Sequence, residues 1–364
     1  MALIIKFIRR ISFLLNILLA LYSLLVYQLC YSADIRHWLA GFLMLSAPLT
    51  FIFNGIFIVI WAIAKSRKVW LSVAVLLVAT PLIMRSFTWH FNEKSEENIS
   101  VMSYNLMWCD AFEFIDKSNP ENGTKLTNFA VETPADIKCF QELYNNSDYE
   151  QMNLIKSLRK NNPHYTYIHS TPNNKNGQGL IGLAIFSKYP IIDKEEKYWQ
   201  LNHNGLLSAD IVVNEDTIRV INIQLKSMGI RVSKVLDNAK SDQEKAKKEA
   251  KTIYHQLKDG FESRTEQVKD LEDWIKKSPH PIILCGDLNE LPYGYVYGRI
   301  RKYLANSFET AGRGFGFTYN KSPSFIRIDN QFYDEKRIEV KYFETFNNDA
   351  YSDHYAVRGE YKIR

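Results

Sequence analysis

Pro281-Ile282-Ile283-Leu284-Cys285-Gly286-Asp287-Leu288-Asn289 is the stretch on which the fold turns. Ile282–Cys285 is a short apolar run of strand character, and it leads directly into a carboxylate and an amide. A strand that ends this way delivers polar side chains to one rim of a sheet. The construction recurs upstream. Val101-Met102 leads through Ser103-Tyr104 into Asn105, and Ile137-Lys138-Cys139-Phe140 leads into Gln141-Glu142. Two more polar signatures follow, Arg327-Ile328-Asp329 and Ser352-Asp353-His354. Each is weak alone, since Gly-Asp-x-Asn also reads as a strand with an Asx turn, and Ser-Asp-His as a loop cap. Together, in one chain order, they gather the oxygen ligands that a hard divalent cation, Mg2+ or Mn2+, requires. The pattern points to metal-dependent hydrolysis.

Further strand-like runs are Ile99–Tyr104, Tyr165–Ser170, Leu183–Ser187, Ser208–Val213, Thr217–Gln224 and Tyr355–Lys362, with Asn214-Glu215-Asp216 as a hairpin turn. Asn173 to Gly182 reads as a polar loop at the rim of a site. Asp237 to Ser278 is helical in pattern, with Gly260 as a candidate break. Leu257, Phe261, Val268, Leu271 and Ile275 make one apolar stripe on it, and its lysine-rich start reads as a solvated face.

The chain changes character near residue 90. Three apolar runs precede it, expected as membrane helices at about 11–30, 38–64 and 69–86. The third is short and needs Arg85 and the Phe87/Trp89 pair to reach across. Residues 1–90 are thus expected as a membrane anchor, and 91–364 as the catalytic domain. Lys6, Arg9 and Arg10 precede the first run, and Lys65, Arg67 and Lys68 separate the second from the third. The positive-inside rule then places residues 91–364 outside the cytoplasm, periplasmic or extracellular if the membrane is a bacterial inner membrane.

The net charge of +5 belongs to the anchor. Residues 1–90 carry eight Lys/Arg and one acid, a net of +7, which leaves −2 (+5 less +7) for the rest. Long nucleic acid usually calls for a strong basic excess, so a general nuclease is disfavoured. The four cysteines show no Cys-x-x-Cys spacing, which argues against zinc.

These motifs, with Ala184-Ile185-Phe186-Ser187-Lys188-Tyr189-Pro190-Ile191, Asn222-Ile223-Gln224-Leu225 and a helix bearing Arg264 and Gln267, resemble the endonuclease/exonuclease/phosphatase superfamily of Mg2+-dependent phosphoesterases over roughly Ile99 to Tyr361. The resemblance implies an α/β fold, a four-layer sandwich of two mixed β-sheets with outer helices. It implies Glu142 as principal metal ligand, helped by Asn105 and Asp353. Asp287 would orient or deprotonate the attacking water, and Asn289 would donate to the phosphoryl oxygens. His354 would contact phosphate, its ring held by Asp329. Gln224 stands where many members carry a histidine acting as general acid, and an amide supplies no proton. Asn222, two residues earlier on that strand, is a candidate phosphate contact.

Two readings stand. The chain is a membrane-anchored phosphodiesterase or phosphatase, with nuclease activity as a variant, or a degenerate member that binds a phosphorylated ligand without turnover. Phospholipid head groups, extracellular nucleic acid and sugar or inositol phosphates all fit as substrate. The lipid bilayer is an expected partner, and no protein partner is inferred.

Overall fold

The computed structural model describes residues 2–91, 98–169, 179–199, 204–228, 243–348 and 350–364. Residues 173–178 of the expected loop Asn173 to Gly182 and 237–242 of the expected helix lie outside them, while Leu180 to Gly182 of that loop belong instead to a strand.

Two six-stranded mixed sheets form the body. Strands are β1 (Thr88–Trp89), β2 (Ile99–Asn105), β3 (Ile137–Asn145), β4 (His164–His169), β5 (Leu180–Ser187), β6 (Ile191–Tyr198), β7 (Gly205–Val213), β8 (Asp216–Gln224), β9 (Ile282–Asp287), β10 (Ala305–Asn306), β11 (Arg313–Gly314), β12 (Asp329–Tyr333), β13 (Ile338–Thr345) and β14 (Val357–Ile363). One sheet runs β13-β14-β2-β3-β5-β4 and the other β10-β12-β9-β8-β7-β6, while β1 and β11 pair separately. Each sheet has one parallel pair near its centre, β2 with β3 and β8 with β9, and the other pairings are antiparallel.

Side-chain alternation builds the layers. Ile283 and Cys285 of β9 face inward with Val220 of β8, Val101 of β2 and Cys139 of β3. Ile282 and Leu284 face outward against Phe261, Val268 and Leu271 of the helix Gln243–Lys277. On the far sheet Met102, Tyr104 and Phe140 face outward against Leu126 and Ala130 of the helix Pro120–Glu132. A strand covered on both faces needs no polar alternation, which is why β9 is buried throughout. Each such Ile or Leu contributes about 1.5–3 kcal/mol on burial.

The helix Gln243–Lys277 runs through Gly260 without the expected break. A Cβ on Gly260 would lie 2.8 Å from Met228 Cγ, so this glycine serves a close approach. The structure also contains β6, β10, β12 and β13, which the apolar pattern did not indicate. β6 is an edge strand of sequence IIDKEEKY, exposed along its middle and charged in a way that blocks further pairing.

The N-terminal region forms α1 (Ala2–Ser32), α2 (Trp38–Leu45), α3 (Ala47–Ile63) and α4 (Val69–Met84). By length and composition two apolar stretches are able to cross a membrane, Leu3–Ser32 and Trp38–Ile63. The third expected span is a helix of 16 residues, short of the about 20 that a bilayer core asks for, and it does not by itself establish a third crossing. Polar side chains latch the helices together. Asn16 Nδ2 donates to Ser72 Oγ (2.7 Å), Trp61 Nε1 to Asn16 Oδ1 (2.9 Å), Asn54 Nδ2 to Ser23 Oγ (2.9 Å) and Thr50 Oγ1 to Tyr27 OH (3.0 Å). These pairings run α3 antiparallel to α1, and Tyr31 OH on Val78 O runs α4 parallel to it.

The same helices join the body. Tyr27, Cys30, Ala33, Met44, Ala79 and Leu82 share one apolar cluster with Phe261, Tyr293, Tyr295 and Ile300. Asp34 pairs with Lys302 (2.6 Å) and Arg299 (3.3 Å). Arg85 Nη1 donates to Pro292 O at 3.0 Å, and Arg327 Nη2 to Arg85 O. Apart from Met44 near the end of α2, these contacts lie toward the ends of α1 and α4 and the start of α2. Lys68 sits at the opposite end, over the rings of Phe13 and Trp61.

Candidate active site

The two parallel pairs end at one place. In register, Asn105 of β2 faces Gln141 of β3, Gln224 of β8 faces Asp287 of β9, and Asp287 faces Asp329 of β12. Strand ends from both sheets therefore converge. Glu142 follows at a register irregularity between Phe140 and Leu143, with φ of +51°. Asn289 has φ of +48°. Left-handed backbone at non-glycine residues costs energy and persists where surroundings over-determine it, often at functional sites.

Gly286 lets Asp287 arrive at this rim. Its φ is +137°, and a Cβ would fall 1.9 Å from Ile223 O of the neighbouring strand. We expect Gly286→Ala to destabilise the full chain by about 3 kcal/mol or more, read as a lower midpoint in thermal or denaturant unfolding. An unchanged midpoint would refute this account of the β8–β9 approach.

Asp287 is buried and fully engaged. Its Oδ1 accepts from Asn289 N (2.7 Å), and its Oδ2 from Asn289 Nδ2 (2.9 Å) and Asn105 Nδ2 (3.2 Å). Burial pushes its carboxyl up to about 7, with the charges of Asp329 and Glu142 adding to that, while His354 and the Asn289 N–H oppose it. His354 Nδ1 lies 2.8 Å from Asp329 Oδ2, and its Nε2 3.9 Å from Asp287 Oδ2. Burial alone would lower His354, but Asp329 and Asp287 outweigh it and hold it well above the usual imidazole range. These two carboxylates favour the protonated ring. Thr318 Oγ1 accepts the N–H groups of Ile328 and Asp329, and the Tyr319 ring stands edge-on to His354 at 5.4 Å. Sequence reading missed both, because the stretch around them has no strand period.

Glu142 is half-buried, and burial raises its carboxyl; His354 lowers it, Asp353 raises it, and Gln224 and Asn105 lower it. Gln224 Nε2 donates to Glu142 Oε1 at 2.6 Å, and Gln224 Oε1 is buried without a partner. Glu142, Asp287, Asn289, Asp353 and His354 line one cavity of about 310 Å³.

Three expectations need correction. Asn222 does not reach the cavity. Its amide donates to Phe140 O (2.8 Å) and Ala184 O (3.0 Å) and accepts from Gln141 Nε2 (2.6 Å), so it stitches the two sheets together. Asn105 turns its NH2 toward Asp287 and its Oδ1 toward Met107 N (3.1 Å), which makes it a donor that orients carboxylates rather than an oxygen ligand. Asn289 directs its NH2 to Leu225 O (3.0 Å) and Asp287, so its reach toward phosphoryl oxygens would need that amide to turn. Arg264 Nη1 and Gln267 Oε1 both hold the backbone of Lys226, just beyond β8.

Asp287, Asp329 and His354 offer ligand atoms within 4.8 Å of one another. A metal ligand must be a neutral imidazole. The 2.8 Å contact of His354 Nδ1 with Asp329 Oδ2 leaves Nε2 as the ring's one free ligand or donor atom. Glu142 and Asp353, with no Lys or Arg among the described lining residues, form the donor set that suits a hard divalent cation.

Residues 102–354, more than half the chain, match the sequence model of the Endonuclease/Exonuclease/phosphatase family. The chain belongs to this family of phosphoester hydrolases, which use divalent metals. Residues 9–86 match a separate domain of unknown function. No curated protein matches the chain. Among solved structures, an endonuclease/exonuclease/phosphatase from Beutenbergia cavernae is similar over 73% of this chain and 72% of its own, at 14% identity and TM-score 0.50. A family protein from Leptotrichia buccalis covers 73% of this chain and 99% of its own, at 18% identity and TM-score 0.48. The human Nocturnin catalytic domain, with bound sulfate, covers 76% and 97%, at 14% identity and TM-score 0.47.

Proposed function

We propose that this chain is a membrane-anchored, Mg2+- or Mn2+-dependent phosphodiesterase or phosphatase whose body lies outside the cytoplasm. The observation that carries the reading is the buried Asp287 carboxylate, fixed by Asn289 and Asn105 beside the His354–Asp329 pair, in a cavity shared with Glu142 and Asp353.

Each residue has a chemical task. Asp287 accepts a proton from the attacking water, and Asn289 and Asn105 keep its two oxygens aimed. The His354 imidazolium, oriented by Asp329, donates toward a phosphoryl oxygen as its charge grows. Gln224 holds Glu142 in place but transfers no proton. Glu142 and Asp353 would hold the divalent cation, which supplies charge neutralisation to the phosphoryl group when bound. The Asp353 charge raises the Glu142 carboxyl, and a cation held between them would offset that effect.

The full chain in detergent is expected to cleave bis(p-nitrophenyl) phosphate with Mg2+ or Mn2+. Chelation by EDTA should abolish the rate, and Glu142→Ala should lower it by about 10²-fold or more. Should metal-loaded protein do no better than Glu142→Ala on diverse phosphoesters, binding without turnover becomes the better reading.

A further inference from the structure

One wall of the catalytic cavity comes from the N-terminal region. Leu45, the last residue of α2 and part of the long apolar stretch Trp38–Ile63, lines the same cavity as Glu142, Asp287 and His354. Met228, Leu291, Pro323, Ile326 and Ile328 also line it, so apolar side chains share the cavity with the reacting groups. Leu45 stands just before the break at Ser46: α2 packs through Trp38 and Phe42 on Tyr254, and the first turns of α3 still touch the body through Phe51 on Tyr293 (5.7 Å).

A second observation is independent of Leu45. The segment that brings Pro323 and Ile326 to the cavity begins at an aromatic patch. Phe315 packs on Phe87 at 4.9 Å, just past the end of α4, and Phe87, Trp89 and Phe91 contact one another in sequence. Trp89, Phe91, Phe315 and Phe325 are 55%, 75%, 55% and 68% exposed. Exposed aromatics where apolar helices emerge are the side chains that settle at a membrane–water interface. If α2 and α3 enter a bilayer, the cavity mouth lies at its surface.

The charge of the cavity narrows the ligand further. Glu142, Asp287, Glu290 and Asp353 line it, and no Lys or Arg does so among the described residues. With His354 and a cation on Glu142 and Asp353 taking one phosphodiester, the lining offers no basic side chain for a second phosphate and leaves acidic groups to face an ammonium.

We propose that the substrate is a zwitterionic phospholipid taken from the bilayer surface, its phosphodiester among Glu142, Asp287 and His354 and its apolar chain along Leu45, Ile326 and Ile328. This rests on the hydrolase reading above. In the step, water oxygen bonds to phosphorus and one P–O ester bond breaks. One water proton passes to Asp287, and the departing oxygen leaves as the alcohol after taking a proton from solvent. The anchor then does more than tether. It completes the specificity pocket.

The test uses the full chain with Mg2+ or Mn2+ and three substrates: dioleoylphosphatidylethanolamine in mixed micelles, chain-free glycerophosphoethanolamine, and bis(p-nitrophenyl) phosphate. The expected result is a kcat/KM for the lipid about tenfold or more above that for its chain-free head group. Leu45→Gln should reduce that ratio about tenfold, and Phe325→Ser should reduce it measurably. Phe325 is exposed, so its loss leaves the core packing intact. If bis(p-nitrophenyl) phosphate is cleaved but the acyl chains add nothing, the lipid inference is overturned and the hydrolase reading stands. Absence of turnover on all three overturns both.

Discussion

Asp287→Asn is expected to lower kcat on a soluble phosphodiester by about 10³-fold or more, while Gln224→Ala costs about tenfold. The two side chains face each other across the β8–β9 pair, so a general disturbance of this rim would affect both alike. Their chemistry separates them. Asp287 is a buried carboxyl pushed up to about 7, mainly by burial, and held by three donated hydrogen bonds, which suits a base that takes a proton near neutral pH. Asparagine keeps the shape but cannot take the proton, and its NH2 would face the donors of Asn289. Gln224 offers an amide that orients Glu142, so its removal loosens the ligand proposed above without deleting an acid or base. The measurement is kcat and kcat/KM for both variants, with unfolding midpoints to establish that each is folded. Equal losses at the two positions would mean that Gln224 takes part in the proton chemistry, and that Asp287 is not the sole base.

Legibility in the sequence followed burial. β9 could be read from Ile282–Cys285 because a strand covered on both faces needs an unbroken apolar run, and Asp287 followed as its terminus. β7 and β8 were readable from alternation and from the turn at Asn214, whose φ is +55°. β12 was not, because Asn330 and Gln331 are buried polar residues. Gln331 spends its amide on Val101 O in the opposite sheet, so its burial carries no apolar signature. The same cause misled the reading of Asn222, since a buried amide that bridges two sheets looks, in sequence, like one that waits for a ligand. Asp329 and His354 were legible as polar motifs, yet their 2.8 Å contact joins residues on separate segments, and only the resemblance brought them together beforehand. The contribution of Leu45 had no sequence trace at all, because nothing in an apolar helix says which of its residues faces a cavity.

The topology follows from combining helix direction with charge, and it predicts an all-or-none result. α3 runs antiparallel to α1 and α4 parallel to it, so the ends of α1 and α4 and the start of α2 all meet the body, and Lys68 stands at the far end. Lys65 and Arg67 share that far turn with Lys68, and Lys6, Arg9 and Arg10 occupy the start of α1. If these helices cross a membrane, the positive-inside rule predicts that this end is cytoplasmic. An α4 of 16 residues is about 24 Å long, less than the roughly 30 Å of a bilayer core. Arg85 at its end bonds to Pro292 O, so the body itself meets the polar end of this helix, and a short α4 suffices if the body sits down on the membrane surface. A reporter that functions only after export, fused at Arg364, is therefore expected to be active, and the same reporter fused at Lys68 to be silent. The reverse pattern would put Val69–Met84 on one side of the membrane, return the body to the cytoplasm, and reopen intracellular nucleic acid as a substrate.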